Sequence, residues 1–248
     1  MTVNVLQQER LNAIIVGNGA IGTALAESLL QCSELQHLVV LQRCRETSLR
    51  DSRVSIVEFD AEQAESVKAA AAAVREVLQR AHVMINTVGM LHSEQQKPEK
   101  RLSSLEPENL QRSFFINATL LPTLVQAFGE LLRHDHPAVF ASLSARVGSI
   151  EDNHLGGWYS YRASKAAHNM LLRTIAQEWR VSHRNASIVA LHPGTVHSRL
   201  SKPFITASYK HPVRTPLECA ESLLKVLGDL PPGSSGQFYD WQGKAIPW

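Results

Sequence analysis

The chain has few cysteines and no long apolar run, and both absences limit the classes of protein to which it can belong. Only three of its 248 residues are cysteine, namely Cys32, Cys44 and Cys219, and none belongs to a CxxC pair. Three distant thiols predict neither a disulfide framework nor a zinc site, and are typical of a cytoplasmic protein. No uninterrupted apolar stretch reaches the ~18 residues that suggest a membrane span, and the N-terminus has no apolar signal core. We therefore expect a cytoplasmic protein that is neither processed nor membrane-bound.

The sequence also has no marked excess of basic or acidic residues. The formal net charge is +2 with histidine neutral, and the basic residues are spread along the chain. This pattern argues against a nucleic-acid or membrane-surface partner. His134 and His136 are close in sequence, but Arg133, Asp135 and Pro137 around them are typical of a solvated turn after a helix. We expect no metal site there. The apolar fraction of 44% is enough for a sizeable core.

Short apolar runs alternate with amphipathic stretches along the whole chain. The runs predict strands at 11–16, 37–41, 54–59, 82–86, 138–143, 186–191 and 237–240. The amphipathic stretches predict helices at 20–31, 64–79, 107–133, 158–183 and 217–227. Such alternation predicts βαβ units, whose right-handed crossovers put helices on both faces of a parallel sheet. The predicted fold is α/β: a single-domain, Rossmann-like, doubly wound parallel sheet of about seven strands, covering residues 1–248.

A glycine-rich turn joins the first predicted strand to the first predicted helix. The segment GNGAIG places Gly17, Gly19 and Gly22 in a GxGxxG pattern, in the context that dinucleotide binding requires. Gly17 would allow the tight turn, Gly19 a close approach of the backbone to a pyrophosphate, and Gly22 close packing of helix on strand. The free N–H groups of the helix start would face the phosphates. The alternative is a turn that serves only chain reversal.

The tip of the second predicted strand indicates which dinucleotide is bound. An acidic residue about 20 positions after the glycine turn binds the ribose 2′-hydroxyl of NAD, but this tip carries Gln42 and Arg43. A guanidinium attracts a 2′-phosphate and can hold it with two hydrogen bonds. NADP is therefore favoured over NAD. The alternative is that Arg43 is merely solvated and Glu46 performs an NAD-type role.

Tyr161 and Lys165 are one helical turn apart within YSYRASKAA, so their side chains share a face of the predicted helix. Free tyrosine has a pKa of about 10, too high for ready proton exchange at neutral pH. A nearby ammonium favours phenolate, and we expect Lys165 to lower the pKa of Tyr161. The pair would then protonate an alkoxide or deprotonate an alcohol. Without the glycine turn, a surface pair would be the better interpretation.

Taken together, these motifs resemble the short-chain dehydrogenase/reductase family over nearly the whole chain. YRASK is similar to the family's YxxxK, INTVG to its NNAG, FDAE to its adenine-contacting segment, FFINA to its helix asparagine, and LHPGTV to its PG motif. The resemblance implies that Asn117 holds a proton-relay water through its backbone. It also implies a set of cofactor-binding residues: Gly17, Asn18, Gly19, Ala20, Ile21, Gly22, Arg43, Asp60, Ala61, Asn86, Thr87, Val88, Gly89, Tyr161, Lys165, Pro193, Gly194, Thr195 and Val196.

Two departures accompany the resemblance. The glycine turn is one residue shorter than the family's TGxxxGxG, with Val16 in place of threonine. The family's second serine in NxSSxxG is catalytic, but Ala145 stands at that position and Ser144 at the first. A hydroxyl is needed to hydrogen-bond the carbonyl oxygen as charge builds on it. Ser144 is the predicted catalytic serine, with Ser149 and Ser142 as alternatives.

The segment from 145 to 167 and the chain end resemble the C-factor and sniffer-type carbonyl reductase subgroup. The function predicted is NADPH-dependent reduction of an aldehyde or ketone, or the reverse, with Tyr161, Lys165, Ser144 and Asn117 as the catalytic set. The alternative is a dinucleotide-binding signalling or regulatory protein with little or no catalysis. The resemblance also implies a homodimer or homotetramer and a small-molecule substrate. Val196–Thr215 is expected to form a substrate lid, and Pro98–Glu108 to be a solvated segment.

Overall fold

The computed structural model describes residues 4–207 and 209–248, in which strands and helices alternate. In this range the strands are β1 (Leu11–Val16), β2 (Leu35–Gln42), β3 (Val54–Glu58), β4 (Val83–Asn86), β5 (Ala138–Leu143), β6 (Ala186–His192), β7 (Thr195–Val196), β8 (Val213–Arg214) and β9 (Phe238–Asp240). The α-helices are α1 (Ala20–Leu30), α2 (Ala64–Val77), α3 (Pro107–Phe114), α4 (Leu120–Phe128), α5 (Tyr159–Ser182) and α6 (Pro216–Gly228).

Seven of the strands form one parallel sheet in the order β3-β2-β1-β4-β5-β6-β9. The chain moves outward from β1 to β3 and then crosses back to β4 on the other side of β1. This reversal of direction opens a crevice at the carboxyl ends of β1 and β4, where doubly wound proteins bind their ligands. The predicted fold class is confirmed.

The register brings three loops to the same level at that edge. Val16 pairs with Asn86, and Asn86 pairs in turn with Ser142, so β1, β4 and β5 reach the carboxyl edge of the sheet side by side. The glycine turn, the segment after β4 and the serine-containing end of β5 therefore lie next to one another.

Apolar residues on both faces of the strands hold the helices against the sheet. On one face Ile14 and Phe140 pack with Phe128 and Trp179 from the layer formed by α2, α4 and α5. On the other face Ile15 and its neighbours pack with residues of α1 and α6. Strands buried on both faces have continuous apolar sequences rather than alternating ones. This explains why the strand bounds could be predicted to within two residues.

The structure adds detail to the sequence prediction in one place and corrects it in two. The predicted lid, Val196–Thr215, contains a 3-10 turn at Lys202–Phe204, and β7 and β8, at the two ends of this region, pair with each other in parallel. The predicted helix over 107–133 is divided by a π-helical turn, Phe115–Thr119. The segment Pro98–Glu108 is not wholly solvated, because Glu99 is only 3% exposed. Glu99 is buried by contacts with the start of α5, which lies about 60 residues further along the chain.

The helical run Pro107–Leu132 has the length and mean hydropathy, 1.3, of a membrane-spanning helix. However, 56% of its apolar window is buried inside the protein. Leu121, Leu124 and Phe128 from this run belong to the core cluster beneath the sheet. The burial is typical of the core helix of a globular protein, which passes the same length and hydropathy test.

Candidate active site at the carboxyl edge of the sheet

The glycine turn is built so that two of its glycines cannot carry a side chain. Gly17 has φ +97°, and a Cβ there would lie 2.8 Å from Oγ1 of Thr87. A Cβ on Gly22 would lie 2.1 Å from the carbonyl oxygen of Gly17. Thr87 closes the turn from the neighbouring strand end by donating a 2.8 Å hydrogen bond to the carbonyl of Val16. The turn and the segment after β4 therefore form one tightly packed unit.

Gly19 differs from the other two glycines, because a Cβ built on it would meet nothing within 4 Å. Gly19 is the N-cap of α1, and no side chain caps the helix. The first turn, which begins with Ala20, Ile21 and Gly22, also has no acidic residue. Exposed backbone N–H groups and a positive helix end, next to open space, form a site that suits a pyrophosphate. The geometry at this turn thus fits a dinucleotide.

Arg43 follows β2 and reaches across to the segment after β3. Its Nη2 is 2.8 Å from Oε1 of Glu62, its Nε is 3.5 Å from Oδ1 of Asp60, and its side chain is 67% exposed. Asp60 also accepts hydrogen bonds from the backbone N–H of Glu62 and from Nε2 of Gln63. These hydrogen bonds, together with the charge of Arg43, lower the pKa of Asp60. Arg43 is therefore accessible beside the glycine turn, although it shares its charge with two carboxylates.

The segment after β4 connects the glycine turn to the catalytic candidates. Asn86 donates from Nδ2 to Oγ of Ser142 at 3.0 Å, and its Oδ1 accepts from the backbone N–H of Val88 at 3.1 Å. A Cβ on Gly89 would lie 3.4 Å from Nζ of Lys165 and 3.6 Å from Oδ1 of Asn117. The structure thus brings this segment next to both Lys165 and Asn117.

Tyr161 and Lys165 lie on the inner face of α5 and are nearly inaccessible, with exposures of 8% and 2%. Nζ of Lys165 is 5.9 Å from the centroid of the Tyr161 ring and donates a 2.8 Å hydrogen bond to the carbonyl of Leu143. Burial lowers the pKa of Lys165 to about 8. A Cβ on Gly148 would lie 2.8 Å from Cβ of Lys165, so only glycine allows this close packing against α5.

The predicted lowering of the Tyr161 pKa is wrong for this geometry. Burial raises the pKa of the phenol, and burial is the cause that dominates. The ammonium of Lys165 is directed at the Leu143 carbonyl rather than at the phenol oxygen. Among residues 4–207 and 209–248, none makes a hydrogen bond to the Tyr161 hydroxyl. The phenol therefore keeps its proton at neutral pH, and its hydroxyl has a free hydrogen-bonding site.

Asn117 is held at the π-helical turn between α3 and α4. Its side chain accepts from the Met90 backbone N–H at 2.7 Å, and donates to the Met90 carbonyl at 2.8 Å and to Oγ of Ser164 at 3.0 Å. Its backbone carbonyl is 2.9 Å from Nδ1 of His168. Because that partner can only accept, Nδ1 of His168 carries the proton, and the other ring nitrogen is buried without a partner in the described part of the chain. π-helical turns of this kind occur often at functional sites.

The three candidate serines are all buried, and each has a partner other than Tyr161. Ser144 donates to Oδ1 of Asn169 at 2.6 Å. Ser142 accepts from Asn86, and Ser149 accepts from the backbone N–H of Asp152 at 3.1 Å. Asn169 was missed from the sequence, although it lies one helical turn beyond Lys165 on the same face of α5. Its spacing of four residues is the signal that could have identified it.

The PG motif follows β6 directly and precedes β7. Gly194 has φ +76°, and a Cβ there would lie 3.0 Å from the ring of Trp241. Thr195 is 2.6 Å from the hydroxyl of Tyr209, and Val196 is buried. Pro193 accepts a hydrogen bond from the Cys219 thiol at 3.6 Å. The motif is therefore fixed at the strand end, as the sequence predicts, with the expected lid following it.

Aromatic side chains pack over Tyr161. The ring of Trp158 lies 6.3 Å from that of Tyr161 and 5.0 Å from that of Phe204 in the predicted lid. Phe204 also lies 5.8 Å from His92, which is 3.1 Å from the Leu200 carbonyl. Phe204 and His92 were not singled out from the sequence, because contacts between distant segments leave no local pattern. These side chains form an apolar wall beside the phenol.

His134 and His136 approach His82 at the opposite, amino edge of the sheet, with ring centroids 5.2 to 6.2 Å apart. His82 accepts from the Asn12 backbone N–H through Nδ1, and burial lowers its pKa to about 4. In the part of the chain that the structure describes, no group of three histidine, cysteine, aspartate or glutamate side chains is arranged to hold a metal ion.

Comparison with known proteins identifies the family. The model of the short chain dehydrogenase family matches residues 12–208, well over half of the chain. The chain belongs to the short chain dehydrogenase family. It is therefore an oxidoreductase with a small-molecule substrate, of the type that acts on alcohol and carbonyl groups.

Two curated relatives are similar to this chain over more than half of its length. The 1-hydroxy-2-glutathionyl-2-methyl-3-butene dehydrogenase of Rhodococcus sp. (strain AD45) is 31% identical over 189 residues, which cover 76% of this chain and 78% of the relative. The C-signal of Myxococcus xanthus is 33% identical over 147 residues, which cover 59% of this chain and 83% of the relative.

Solved structures agree with the fold. The NADPH-bound carbonyl reductase from chicken fatty liver is 26% identical, with a TM-score of 0.85, and the alignment covers 97% of this chain and 100% of that one. The carbonyl reductase Sniffer of D. melanogaster is 21% identical, with a TM-score of 0.83 and the same coverage. The predicted family and the resemblance to the C-factor and sniffer-type subgroup are confirmed.

Proposed function

We propose that this dehydrogenase uses NADPH to reduce an aldehyde or ketone to an alcohol, or runs the reverse reaction. The observation that carries the proposal is the position of Lys165 and Asn117 beside Gly89, after the segment that packs on the glycine turn, with the Tyr161 ring 5.9 Å from Nζ of Lys165. The phenol hydroxyl has no hydrogen-bond partner among the described residues and keeps its proton, which is the form needed to protonate an alkoxide. The similarity to an NADPH-bound carbonyl reductase supports the same reaction.

NADP fits the residues of the crevice better than NAD. The open space at Gly19 and the uncapped start of α1 would receive the pyrophosphate, with Asn18, Ala20 and Ile21 around it. Arg43 would bind the 2′-phosphate, and no acidic residue occupies the tip of β2. The remaining contacts would come from Asp60, Ala61, Asn86, Thr87, Val88, Gly89, Pro193, Gly194, Thr195 and Val196. NAD is the alternative, because Glu62 and Asp60 lie beside Arg43.

The protein's own residues would donate the proton and stabilise the charge that develops during the reaction. When bound, the reduced nicotinamide supplies the hydride to the carbonyl carbon. Tyr161 donates its proton to the oxygen that becomes the alcohol, and the ammonium of Lys165 stabilises the resulting phenolate. Lys165 would also donate to ribose hydroxyls of the cofactor, and Asn117 would hold the relay that returns a proton. Ser144 hydrogen-bonds the carbonyl oxygen, with Ser149 and Ser142 as the alternatives.

The test is NADPH oxidation over a panel of aldehydes and ketones, with a glutathione-conjugated alcohol and NADP for the reverse direction. Wild-type protein should turn over at least one compound. Tyr161→Phe should abolish turnover and leave the Kd for NADPH within a few-fold. Tyr159→Phe is the matched control, since Tyr159 begins the same helix but is 38% exposed, and it should retain activity. Turnover retained in Tyr161→Phe would contradict the proposal.

A second candidate is a signalling or regulatory protein that binds a dinucleotide but catalyses little. The similarity to C-signal favours it, and so does the bond between Ser144 and Asn169, which occupies the serine proton. This candidate predicts tight NADPH binding and no turnover of any compound in the panel. The isolated Tyr161 hydroxyl argues for the enzyme, because sensing a cofactor does not require it.

We also propose that the chain acts as a single domain over residues 1–248, in the cytoplasm, as a homodimer or homotetramer. Exposed apolar side chains on α5 support self-association: Met170 is 65% exposed and Val181 is 76% exposed. Light scattering after size-exclusion chromatography gives the mass of the assembly. A mass of 27.5 kDa, that of one chain, would contradict this part of the proposal.

A further inference from the structure

Glu99 is a buried carboxylate at the start of the catalytic helix. It lies in the segment between β4 and α3, and it is 3% exposed. One carboxylate oxygen accepts from the hydroxyl of Ser160, and the other accepts from the backbone N–H of Ser160 at 3.2 Å. A carboxylate is well placed at the positive end of a 24-residue helix. Glu99 therefore ties a distant segment to the first turn of α5, directly before Tyr161.

The backbone of Glu99 makes a second attachment, to Trp158. The Trp158 N–H donates to the Glu99 carbonyl at 2.5 Å. Trp158 has φ 51° and ψ 45°, a left-handed conformation that is unfavourable for a bulky side chain. Gly156 and Gly157, the two residues before it, also have positive φ. Such a conformation persists only where the surroundings enforce it, and here the contacts with Glu99 do so.

The left-handed conformation determines where the Trp158 indole lies. The indole packs against Tyr161 on one side and against Phe204 of the predicted lid on the other. If Trp158 relaxed to an ordinary conformation, its ring would leave the wall beside the phenol. The geometry of that wall thus depends on the two attachments of Glu99.

We infer that Glu99 is a positioning residue that sets substrate fit by holding Trp158 in the wall beside Tyr161. This inference rests on the proposed carbonyl reduction. In the part of the chain that the structure describes, the hydrogen bonds of Glu99 go to Trp158 and Ser160 and not to Tyr161 or the glycine turn, so its effect should appear in substrate binding rather than in NADPH binding. Substrates with a flat apolar body, which contact the wall, should be the most sensitive.

The test compares Glu99→Gln with Glu94→Gln, an exposed glutamate in the same segment that serves as the matched control. In Glu99→Gln the negative charge is lost, and the amide keeps both contacts only if the Ser160 hydroxyl turns to accept from it, so the charge-assisted bonds of the attachment are lost. We expect KM for 4-nitrobenzaldehyde to rise about tenfold, the effect of one charge-assisted hydrogen bond. The KM for propanal, kcat and the Kd for NADPH should each stay within about twofold. Equal KM values in the two variants would overturn the inference, as would an equal rise for both aldehydes.

A second measurement does not depend on activity. Lys100 and Arg101 are exposed next to Glu99, and release of the segment should open them to trypsin. We expect Glu99→Gln and Ser160→Ala to be cleaved there at least about five times faster than Glu94→Gln, and the double variant no faster than either single one. Unchanged cleavage in both single variants would refute the attachment. The outcome is separate from that of Tyr161→Phe, which decides the proposed reaction.

Discussion

The Ser144 hydroxyl donates a 2.6 Å hydrogen bond to Oδ1 of Asn169, one turn beyond Lys165 on α5. Both side chains are buried, so this bond is protected from water. To stabilise a substrate oxygen, the hydroxyl would have to turn away from Asn169. The substrate oxygen and Oδ1 of Asn169 therefore compete for the hydroxyl proton of Ser144.

Ser144→Ala should lower kcat/KM by about 100-fold if its hydroxyl supports the developing oxyanion. Steady-state kinetics on one carbonyl substrate, with Ser142→Ala and Ser149→Ala measured alongside, tests this. The two other variants should stay within a few-fold of wild type. A loss confined to Ser149→Ala would move the role to Ser149, whose hydroxyl accepts from Asp152 and still has its own proton to donate.

The glycine turn offers a pair of substitutions with opposite consequences. Gly19→Ala places a methyl group in open space and at an ordinary φ of −65°, so thermal stability should hardly change. The same methyl group would occupy the pyrophosphate site, and the Kd for NADPH should rise by at least about tenfold. Fluorescence titration with NADPH and a thermal melt measure the two effects. Unchanged NADPH binding would argue against this turn as the phosphate site.

Gly22→Ala should instead damage the fold. Its Cβ would lie 2.1 Å from the carbonyl oxygen of Gly17, so the backbone of the turn or of α1 must shift. Overpacking of this kind costs about 1–3 kcal/mol of unfolding free energy. Urea unfolding should show the loss in the absence of cofactor. If Gly22→Ala were as stable as wild type, the turn would be able to widen without loss of unfolding free energy.

Arg43→Gln should shift the cofactor preference. The ion pair of Arg43 with Glu62 is largely exposed and contributes little to stability, so the guanidinium can exchange it for a 2′-phosphate. We expect KM for NADPH to rise about tenfold or more and KM for NADH to change little. Arg50→Gln, an exposed arginine of the same loop, is the control. An unchanged ratio of the two KM values would favour the NAD-type interpretation.

Acid should destabilise the protein between pH 6.5 and pH 4. Burial lowers the pKa of His168 to about 3, and those of His82 and His192 to about 4. In this window the unfolded chain takes up protons that the folded chain does not, so the unfolding free energy falls as the pH falls. Each such histidine contributes up to about 1.4 kcal/mol per pH unit.

His168→Leu should lower, by up to one, the number of protons that the chain takes up when it unfolds in this pH window. The unfolding free energy, measured by urea at several pH values, should fall less steeply with acid than in wild type. His154→Leu, at an exposed position, should leave the slope unchanged. An identical slope in His168→Leu and wild type would mean that this imidazole is not held neutral by the fold.

Local patterns explain how much of this molecule could be predicted. The buried strands have continuous apolar sequences, and the helical spacing of Tyr161 and Lys165 places them on one face without knowledge of the tertiary structure. The burial of Glu99 could not be predicted, because it depends on the docking of its segment against a helix start about 60 residues away. The prediction that Lys165 lowers the pKa of Tyr161 failed for a similar reason. Its direction depends on how far burial outweighs a nearby charge, and only coordinates show that Lys165 faces the Leu143 carbonyl.

The position of β1 in the middle of the sheet has a consequence for biosynthesis. Its residues need β2 on one edge and β4 on the other, and β4 begins only at residue 83. A nascent chain shorter than this carries an apolar strand with one open edge, which is a template for aggregation. Ribosomal pausing before residue 86 should therefore leave this edge of β1 unpaired and favour aggregation.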